Sequence, residues 1–417
     1  MKYILVTVFI WTQILTTIGL IIRIKRSSLS LLIRLIISTI VGLTMDKFIL
    51  YLIGSFFVIG AIDYITGNHL KLGGKFEEGI KTMGALGIGM IGIISLAPIF
   101  TNFLSAVIIP ICSVLHLDPS IVPAALLAVD MGGYQIANKL ALTTEMGAFS
   151  GIIIASTLGA TISFSIPVAL GMLSKEDEKY FSKGVLVGII TIPIGCLAAG
   201  IWQKINFGIL VWNLAPIFVF AIILGAGLLK VPHVFIKVFN GFGKLIMSLS
   251  IVGLLLQGID VIFGVKLVSG LTPLSECTII VGKIALVLGG AYPMLAFINR
   301  IFKNSFEKIG EKFGINSVSV AGILGNLASN LLIFGTYKEM NPKGKVVCAA
   351  FGVSGAFVFG GQLGFVSGVA PEMLGAFIIS KLSAGIISIV LAVWLYDRES
   401  KEFNLKKNGG IRNEYQG

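Results

Sequence analysis

Apolar runs of about membrane-spanning length follow one another along almost the whole chain. A helix needs about 20 such residues to cross a bilayer. The runs are continuous rather than alternating, which indicates helices and not the strands of a barrel. After two runs at 2–22 and 30–44, the core runs lie at about 46–66, 82–100, 120–138, 147–173, 184–203, 207–229, 236–263, 276–299, 315–337, 344–369 and 373–396. The pattern predicts an all-α polytopic membrane protein with about 9–11 core transmembrane or re-entrant helical segments.

Composition agrees with this class and excludes others. Of 417 residues, 56% are hydrophobic and 12% are charged, against about 25% charged in soluble chains. The net charge of +12 comes from Lys and Arg in loops and in the tail, which is typical of a membrane protein and not of nucleic-acid binding. The four Cys and three His residues are far apart, so we predict no metal site and no disulfide framework.

The two halves of the chain share an internal repeat at a separation of about 197 residues. The matched residues are Lys47, Ile62, Asp63, Ile65 and Gly67 with Lys244, Ile259, Asp260, Ile262 and Gly264. Pro98 with Pro293, and Ser182-Lys183 with Ser380-Lys381, extend the match. Transporters are often built from such repeats.

The repeat sets the expected domain boundaries. We expect a first transmembrane repeat over 45–203, a linking segment over 204–235, a second repeat over 236–396 and a polar basic tail over 397–417. Residues 1–44 form an apolar N-terminal extension, and translation starting at Met45 is an alternative. The predicted turn over 370–381 holds Lys381 as its one cation.

Loop charges distinguish two topologies, and both stay open. If all segments span, Lys-rich and Lys-poor loops do not alternate. They do alternate if 120–138 and 315–337 enter and leave on the same side. Each of these segments has a polar or glycine-rich break between two apolar arms, at Asp130-Met131-Gly132-Gly133 and at Gly325-Asn326-Leu327-Ala328-Ser329-Asn330. This topology makes the halves inverted repeats, in the cytoplasmic membrane, with the basic C-terminal tail on the cytoplasmic side.

Candidate binding residues lie at these breaks, where transporters place their substrates. Asp130 is a carboxylate inside an apolar run, which is costly and points to function. The alternative is an internal salt bridge with Lys139 or Lys283. Asn326 and Asn330 occupy the corresponding break in the second half, and they either bind a ligand or join helices by hydrogen bonds.

Other polar and glycine positions carry weaker signals. Ser165 precedes Pro167 in a stretch that looks broken, and Gln362 lies at a similar place in the second half. The glycines of 87–92 fit a dinucleotide-binding pattern, but no strand precedes them, so we predict no nucleotide cofactor. Gly360, Gly364 and Gly368 have the spacing that lets helices pack closely. No catalytic motif of a soluble enzyme is present, and we predict that the protein is not an enzyme.

Eight stretches together resemble the ethanolamine-utilization membrane protein family of bacterial permeases. They are Gly74-Lys75-Phe76-Glu77-Glu78-Gly79, Met83-Gly84-Ala85-Leu86, Leu96-Ala97-Pro98, Asp130-Met131-Gly132-Gly133, Phe164-Ser165-Ile166-Pro167-Val168-Ala169-Leu170-Gly171, Thr191-Ile192-Pro193-Ile194-Gly195-Cys196, Gly290-Ala291-Tyr292-Pro293-Met294 and Leu363-Gly364-Phe365. They occur in family order and extend from about Met45 to Trp394.

The resemblance implies transport of ethanolamine across the bacterial cytoplasmic membrane, for a cytosolic ammonia-lyase pathway. With that substrate, Asp130 would pair with the ammonium, and Asn326, Asn330, Gln362 or Ser165 would hold the hydroxyl. Tyr292 would add a cation–π contact. Three alternatives stay open: coupling to H⁺ or Na⁺, transport of another small polar or cationic solute, and a membrane component that does not transport.

Overall fold

The computed structural model describes residues 44–414. The predicted extension over 1–44, apart from Thr44, lies outside the described residues. We number the helices of the described part in chain order. They are α1 Met45–Ile65, α2 Gly73–Leu115, α3 Ile121–Leu126, α4 Tyr134–Leu140, α5 Thr144–Met172, α6 Lys175–Trp202, α7 Phe207–Lys230, α8 Pro232–Phe263, α9 Leu274–Phe313, α10 Ser317–Asn326, α11 Leu331–Thr336, α12 Pro342–Ser354, α13 Gly361–Val369 and α14 Leu374–Glu414.

The all-α membrane class is confirmed. Eight helical segments in residues 44–414 are long and apolar enough to cross a bilayer. They lie in α1, α2, α5, α6, α7, α8, α9 and α14. The remaining apolar segments are interrupted, which is tolerated at membrane depth only where protein or a cavity surrounds the irregular backbone.

Three helices are longer than the apolar runs predicted. The loops expected at 101–119 and 300–314 are largely helical, because α2 ends at Leu115 and α9 ends at Phe313. Likewise α14 continues to Glu414, through most of the predicted tail. In α9 and α14, a polar sequence continues the helix beyond the apolar run, which hydropathy does not detect. The extension of α2 is different, because residues 101–115 are themselves mostly apolar and continue the run past Thr101 and Asn102.

The two segments expected to be re-entrant are hairpins that close at their base. We call α3 with α4 the first hairpin and α10 with α11 the second hairpin. In the first, the Asp118 carboxylate accepts hydrogen bonds from Ser120 N at 2.9 Å and from Leu142 N at 3.1 Å. In the second, Asn316 donates to Asn341 Oδ1 at 3.3 Å through its backbone N–H. Each segment therefore ends beside the point where it begins.

The base of the first hairpin provides a stability test. Asp118→Ala is expected to lower the free energy of unfolding by about 2–3 kcal/mol, because two backbone N–H groups lose a charged acceptor. Thermal unfolding in detergent would measure the loss. Asp118→Asn keeps one acceptor oxygen and should lose less. An unchanged melting temperature for Asp118→Ala would mean that this contact does not hold the hairpin closed.

Helices that the repeat matches run in opposite directions. Helices α1 and α9 are parallel, α2 and α8 are parallel, and α1 is antiparallel to α2. For α1 and α9 the contacts are Ile53 with Gly290 and Gly60 with Pro293. For α2 and α8 they are Gly89 with Ser250 and Gly92 with Gly253. For α1 and α2 they are Gly60 with Phe76 and Tyr64 with Gly73. The matched helices α1 and α8, and likewise α2 and α9, are therefore antiparallel. An inverted repeat requires these directions, and the inversion itself stays a prediction.

Helix α5 lies at the centre of the fold. Two stretches, Phe149–Gly159 and Thr161–Ser165, are π-helical, and every residue of the first stretch is buried. Two threonine hydroxyls of this helix donate to its own backbone: Thr157 to Ile153 O at 2.7 Å and Thr161 to Thr157 O at 2.8 Å. A π-helical segment is rare and often marks a functional site.

Candidate binding site

The first hairpin breaks where the sequence predicts. Leu127 and Ala128 are extended, and a π-type turn follows over Val129–Gly133, in which Gly132 has φ = 88°. Ser163 of α5 accepts a hydrogen bond from Ala128 N at 2.9 Å. The broken backbone is thus satisfied by protein rather than left open to lipid.

The second hairpin is completed by the break between α12 and α13. Phe357 N donates to Asn326 O at 2.8 Å, and Phe359 N donates to Leu327 O at 2.7 Å. A Cβ on Gly360 would overlap the Ala328 carbonyl. In the first half, a Cβ on Gly159 would likewise overlap a carbonyl of the first break, that of Leu127. Both breaks therefore depend on a glycine in the segment that packs on them.

Three predicted binding residues meet between the halves of the chain. Asn330 Nδ2 donates to Ser165 Oγ at 2.8 Å, and Asn326 Nδ2 donates to Cys348 O at 3.2 Å. All three predicted residues are buried. The Oδ1 atoms of Asn326 and Asn330 are buried without a hydrogen-bond partner in the described structure. Buried acceptors of this kind are uncommon and call for a donor.

These atoms border a small cavity, which we call the amide cavity. Its volume is about 10 Å³, room for about one water molecule. It is lined by Ser165, Phe181, Asn326, Asn330, Ile333, Phe334, Tyr337, Cys348, Ala349, Gly352 and Val353. The lining combines unpartnered amide oxygens with aromatic side chains, a combination that suits an organic cation or a hydroxyl donor. A ligand larger than water requires the cavity to expand.

Asp130 does not lie in the amide cavity but opposite a buried lysine. The carboxylate interacts electrostatically with Lys381 of α14, which is 1% exposed. Within residues 44–414 the two do not form a direct ion pair, and Lys381 Nζ donates to Ser156 O of α5. Asp130 itself retains some accessible surface. We call Asp130 and Lys381 the charge pair.

The alternative partners expected for Asp130 are elsewhere. Lys139 is exposed, and Lys283 Nζ donates to Gly368 O at 3.4 Å. The expectation that Lys381 lies in a turn was wrong, because α14 begins at Leu374 and carries Lys381 into the protein interior. The signal was present: Lys381 falls inside the apolar run 373–396, but its nearness to the start of that run favoured a loop position.

The last two predicted residues are separate from the amide cavity. Gln362 is 3% exposed, its Oε1 has no hydrogen-bond partner among described residues, and its helix α13 packs on the turn that carries Asp130. Tyr292 instead interacts electrostatically with Glu78, near the start of α2. The Asp130 turn packs on α2 near Ile93. Glu78 and Ile93 are 15 residues apart, which is about 22 Å along α2. The structure therefore does not bring Tyr292 to Asp130.

Asp63 and Gly364 have structural roles outside the candidate site. Asp63 caps the start of α2: its carboxylate accepts hydrogen bonds from Leu70 N, Leu72 N and Gly73 N at 2.8–2.9 Å. Gly364 of α13 packs directly against Ile284 of α9. That glycine spacing therefore serves helix packing within one chain.

The fold and site define a multi-pass α-helical membrane protein whose broken helices bring polar side chains together in its interior. The chain belongs to the EutH family, the ethanolamine utilisation proteins, whose family model matches residues 45–395.

Relatives of nearly full length support this assignment. A probable ethanolamine permease of Listeria monocytogenes is 40% identical over 370 residues, which cover 89% of this chain and 99% of the relative. A probable ethanolamine permease of Escherichia coli is 35% identical and covers 85% of this chain and 96% of its own length. The uncharacterized Bacillus subtilis protein YxeR is 37% identical, covering 86% and 97%. No solved structure matches the chain.

Proposed function

We propose that this protein carries ethanolamine across the bacterial cytoplasmic membrane. The observation that carries the proposal is a pair of unpartnered buried acceptors, Asn326 Oδ1 and Asn330 Oδ1, at the break of the second hairpin and beside Ser165 of α5. Unwound helices inside a membrane protein are where transporters bind their substrates. The Listeria monocytogenes and Escherichia coli relatives are both named probable ethanolamine permeases, and we infer the substrate from them. The basic C-terminal tail faces the cytoplasm in this proposal.

The chemistry of ethanolamine fits the two polar groups. Its ammonium has three donors and a positive charge, which suit Asp130, and its hydroxyl can donate to an amide oxygen of the amide cavity. Ser165, held by Asn330, and Gln362, on the helix beside the Asp130 turn, complete the polar set. Tyr292, about 22 Å away along α2, is left out of this site.

Uptake of radiolabelled ethanolamine into proteoliposomes tests the function. Mildly acidic pH keeps the amine charged and limits its unaided permeation through the lipid. Saturable uptake above that of empty liposomes supports the proposal. Absence of uptake by correctly folded protein contradicts it, and competition by a panel of small amines and polar solutes would then test the alternative, transport of another small polar or cationic solute.

A side-chain test asks whether Asn330 holds the hydroxyl. Asn330→Ala is expected to raise the KM for ethanolamine about 3- to 10-fold, the value of a neutral hydrogen bond. Ethylamine, which lacks the hydroxyl, should compete equally well against wild type and variant. Asn102→Ala, at an exposed position of α2, is the matched control. If the variant loses affinity for ethylamine as much as for ethanolamine, Asn330 does not bind the substrate hydroxyl.

A further inference from the structure

The charge pair is placed so that a second cation can reach its carboxylate. Asp130 lies deep among protein atoms yet keeps accessible surface, and none of the side chains that the structure describes donates a hydrogen bond to its carboxylate. Lys381 interacts with it across a gap too long for a direct ion pair. The Asp130 carboxylate thus has one nearby counter-ion, Lys381, and accessible surface at which a second cation can bind.

The surroundings of Lys381 contain few other charges. From α5, the Ser156 carbonyl accepts its hydrogen bond, and from α6, Cys196 is the second titratable group that interacts with it. On its own helix, the Phe377 ring lies 5.9 Å from Nζ. Asp130, from the turn of the first hairpin, is therefore the carboxylate that balances the lysine. A fully buried lysine is costly and rarely kept without a function.

Charge balance then limits what can bind. The pair is neutral when Lys381 is protonated and Asp130 is ionised. Adding the ammonium of ethanolamine would leave one uncompensated positive charge in a low-dielectric interior, which is strongly unfavourable. The balance is kept if the lysine loses its proton as the substrate arrives.

We propose that Lys381 is a tethered competitor of the substrate, so that ethanolamine enters as a cation in exchange for the lysine proton. This inference rests on the proposed function. On binding, an N–H bond of the Lys381 ammonium breaks, its electron pair stays on Nζ, and the proton leaves to water on the side from which the substrate came. After the substrate is released on the other side, the amine takes up a proton there and pairs with Asp130 again.

The exchange carries no net charge. One ethanolamine cation moves in, one proton moves out on the returning carrier, and the net movement equals that of neutral ethanolamine. The membrane potential therefore has no effect on accumulation by the wild-type protein. A variant without the lysine moves the substrate's charge alone, and a potential of −100 mV would raise the accumulation of such a cation about fifty-fold.

The test measures ethanolamine accumulation in proteoliposomes at equal pH on both sides, with and without a valinomycin-generated potential, negative inside. Wild type is expected to show the same accumulation in both conditions. Lys381→Met is expected to gain a voltage response of up to about fifty-fold. Lys183→Met is the matched control, because Lys183 is the repeat counterpart of Lys381 and pairs with Glu399 at 2.5 Å; it should stay insensitive to voltage.

The outcomes separate this inference from the proposed function. No uptake by folded wild type overturns the function itself. Uptake by wild type that responds to voltage overturns the exchange alone, and so does a Lys381→Met variant that transports without any voltage response. If Lys381→Met does not fold, proton release in weakly buffered detergent decides: wild type should release a proton for each ethanolamine bound, and its absence contradicts the exchange.

Discussion

Replacing Asp130 with asparagine is expected to reduce ethanolamine uptake about 10- to 100-fold. A hydrogen bond to a charged group contributes about 1.5–3 kcal/mol, and the amide loses the charge that attracts the ammonium. The substitution also leaves Lys381 buried without its carboxylate, which destabilises a protein more than the pair stabilises it. The melting temperature in detergent should therefore fall together with uptake.

The double variant Asp130→Asn/Lys381→Met separates binding from folding. It removes both charges, so the melting temperature should recover towards that of the wild type while uptake stays low. The measurements are initial uptake rates and thermal unfolding of the same preparations. If the single Asp130→Asn variant keeps wild-type uptake, Asp130 has a structural role and the substrate ammonium binds elsewhere.

Gly92→Leu is expected to abolish the folded protein. Helices α2 and α8 cross with their backbones in contact: a Cβ on Gly92 would overlap the Ser250 carbonyl and lie 2.6 Å from Leu254 N. A Cβ on Gly253 would overlap the Gly92 carbonyl from the other side. Moving the two helices apart would also break the hydrogen bond that Gln257 Nε2 of α8 donates to Ser95 Oγ of α2 at 2.5 Å. Overpacking usually costs about 1–3 kcal/mol, and a clash with backbone costs more.

The same two helices provide the controls for this prediction. Gly84 of α2 and Gly258 of α8 have no heavy atom within 4 Å of an added Cβ. Gly84→Leu and Gly258→Leu should therefore keep a monodisperse peak in size-exclusion chromatography, whereas Gly92→Leu should aggregate. A well-folded Gly92→Leu variant would show that α2 and α8 do not approach this closely.

Much of the candidate site followed from the sequence. The breaks around Asp130 and around Asn326–Asn330 were predicted because polar and glycine residues interrupt apolar runs, and the structure places both breaks there. The pairing of Ser165 with Asn330 joins two residues predicted separately. The free-energy cost of burying a polar side chain in the membrane depends on that residue alone, so the sequence can indicate which polar residues are candidates.

Other features could not be predicted from local pattern. Tyr292 lies in a family-like motif but is held near Glu78 by the packing of α9 on α2. Lys381 looked like a loop cation, because a lysine near the end of an apolar run often extends to the membrane surface. Its direction is set by the contact of α14 with α5, through the Ser156 carbonyl. That contact joins residues 225 positions apart.

The sequence by itself determined the membrane class and the positions of the two breaks. Each of these depends on the transfer of individual side chains and backbone groups into hydrocarbon, a cost that adds along the chain. Only the tertiary structure decided which polar groups meet: the amide cavity between the halves and the charge pair of Asp130 with Lys381. These arrangements depend on the directions of helices distant in sequence, which packing fixes and residue type does not.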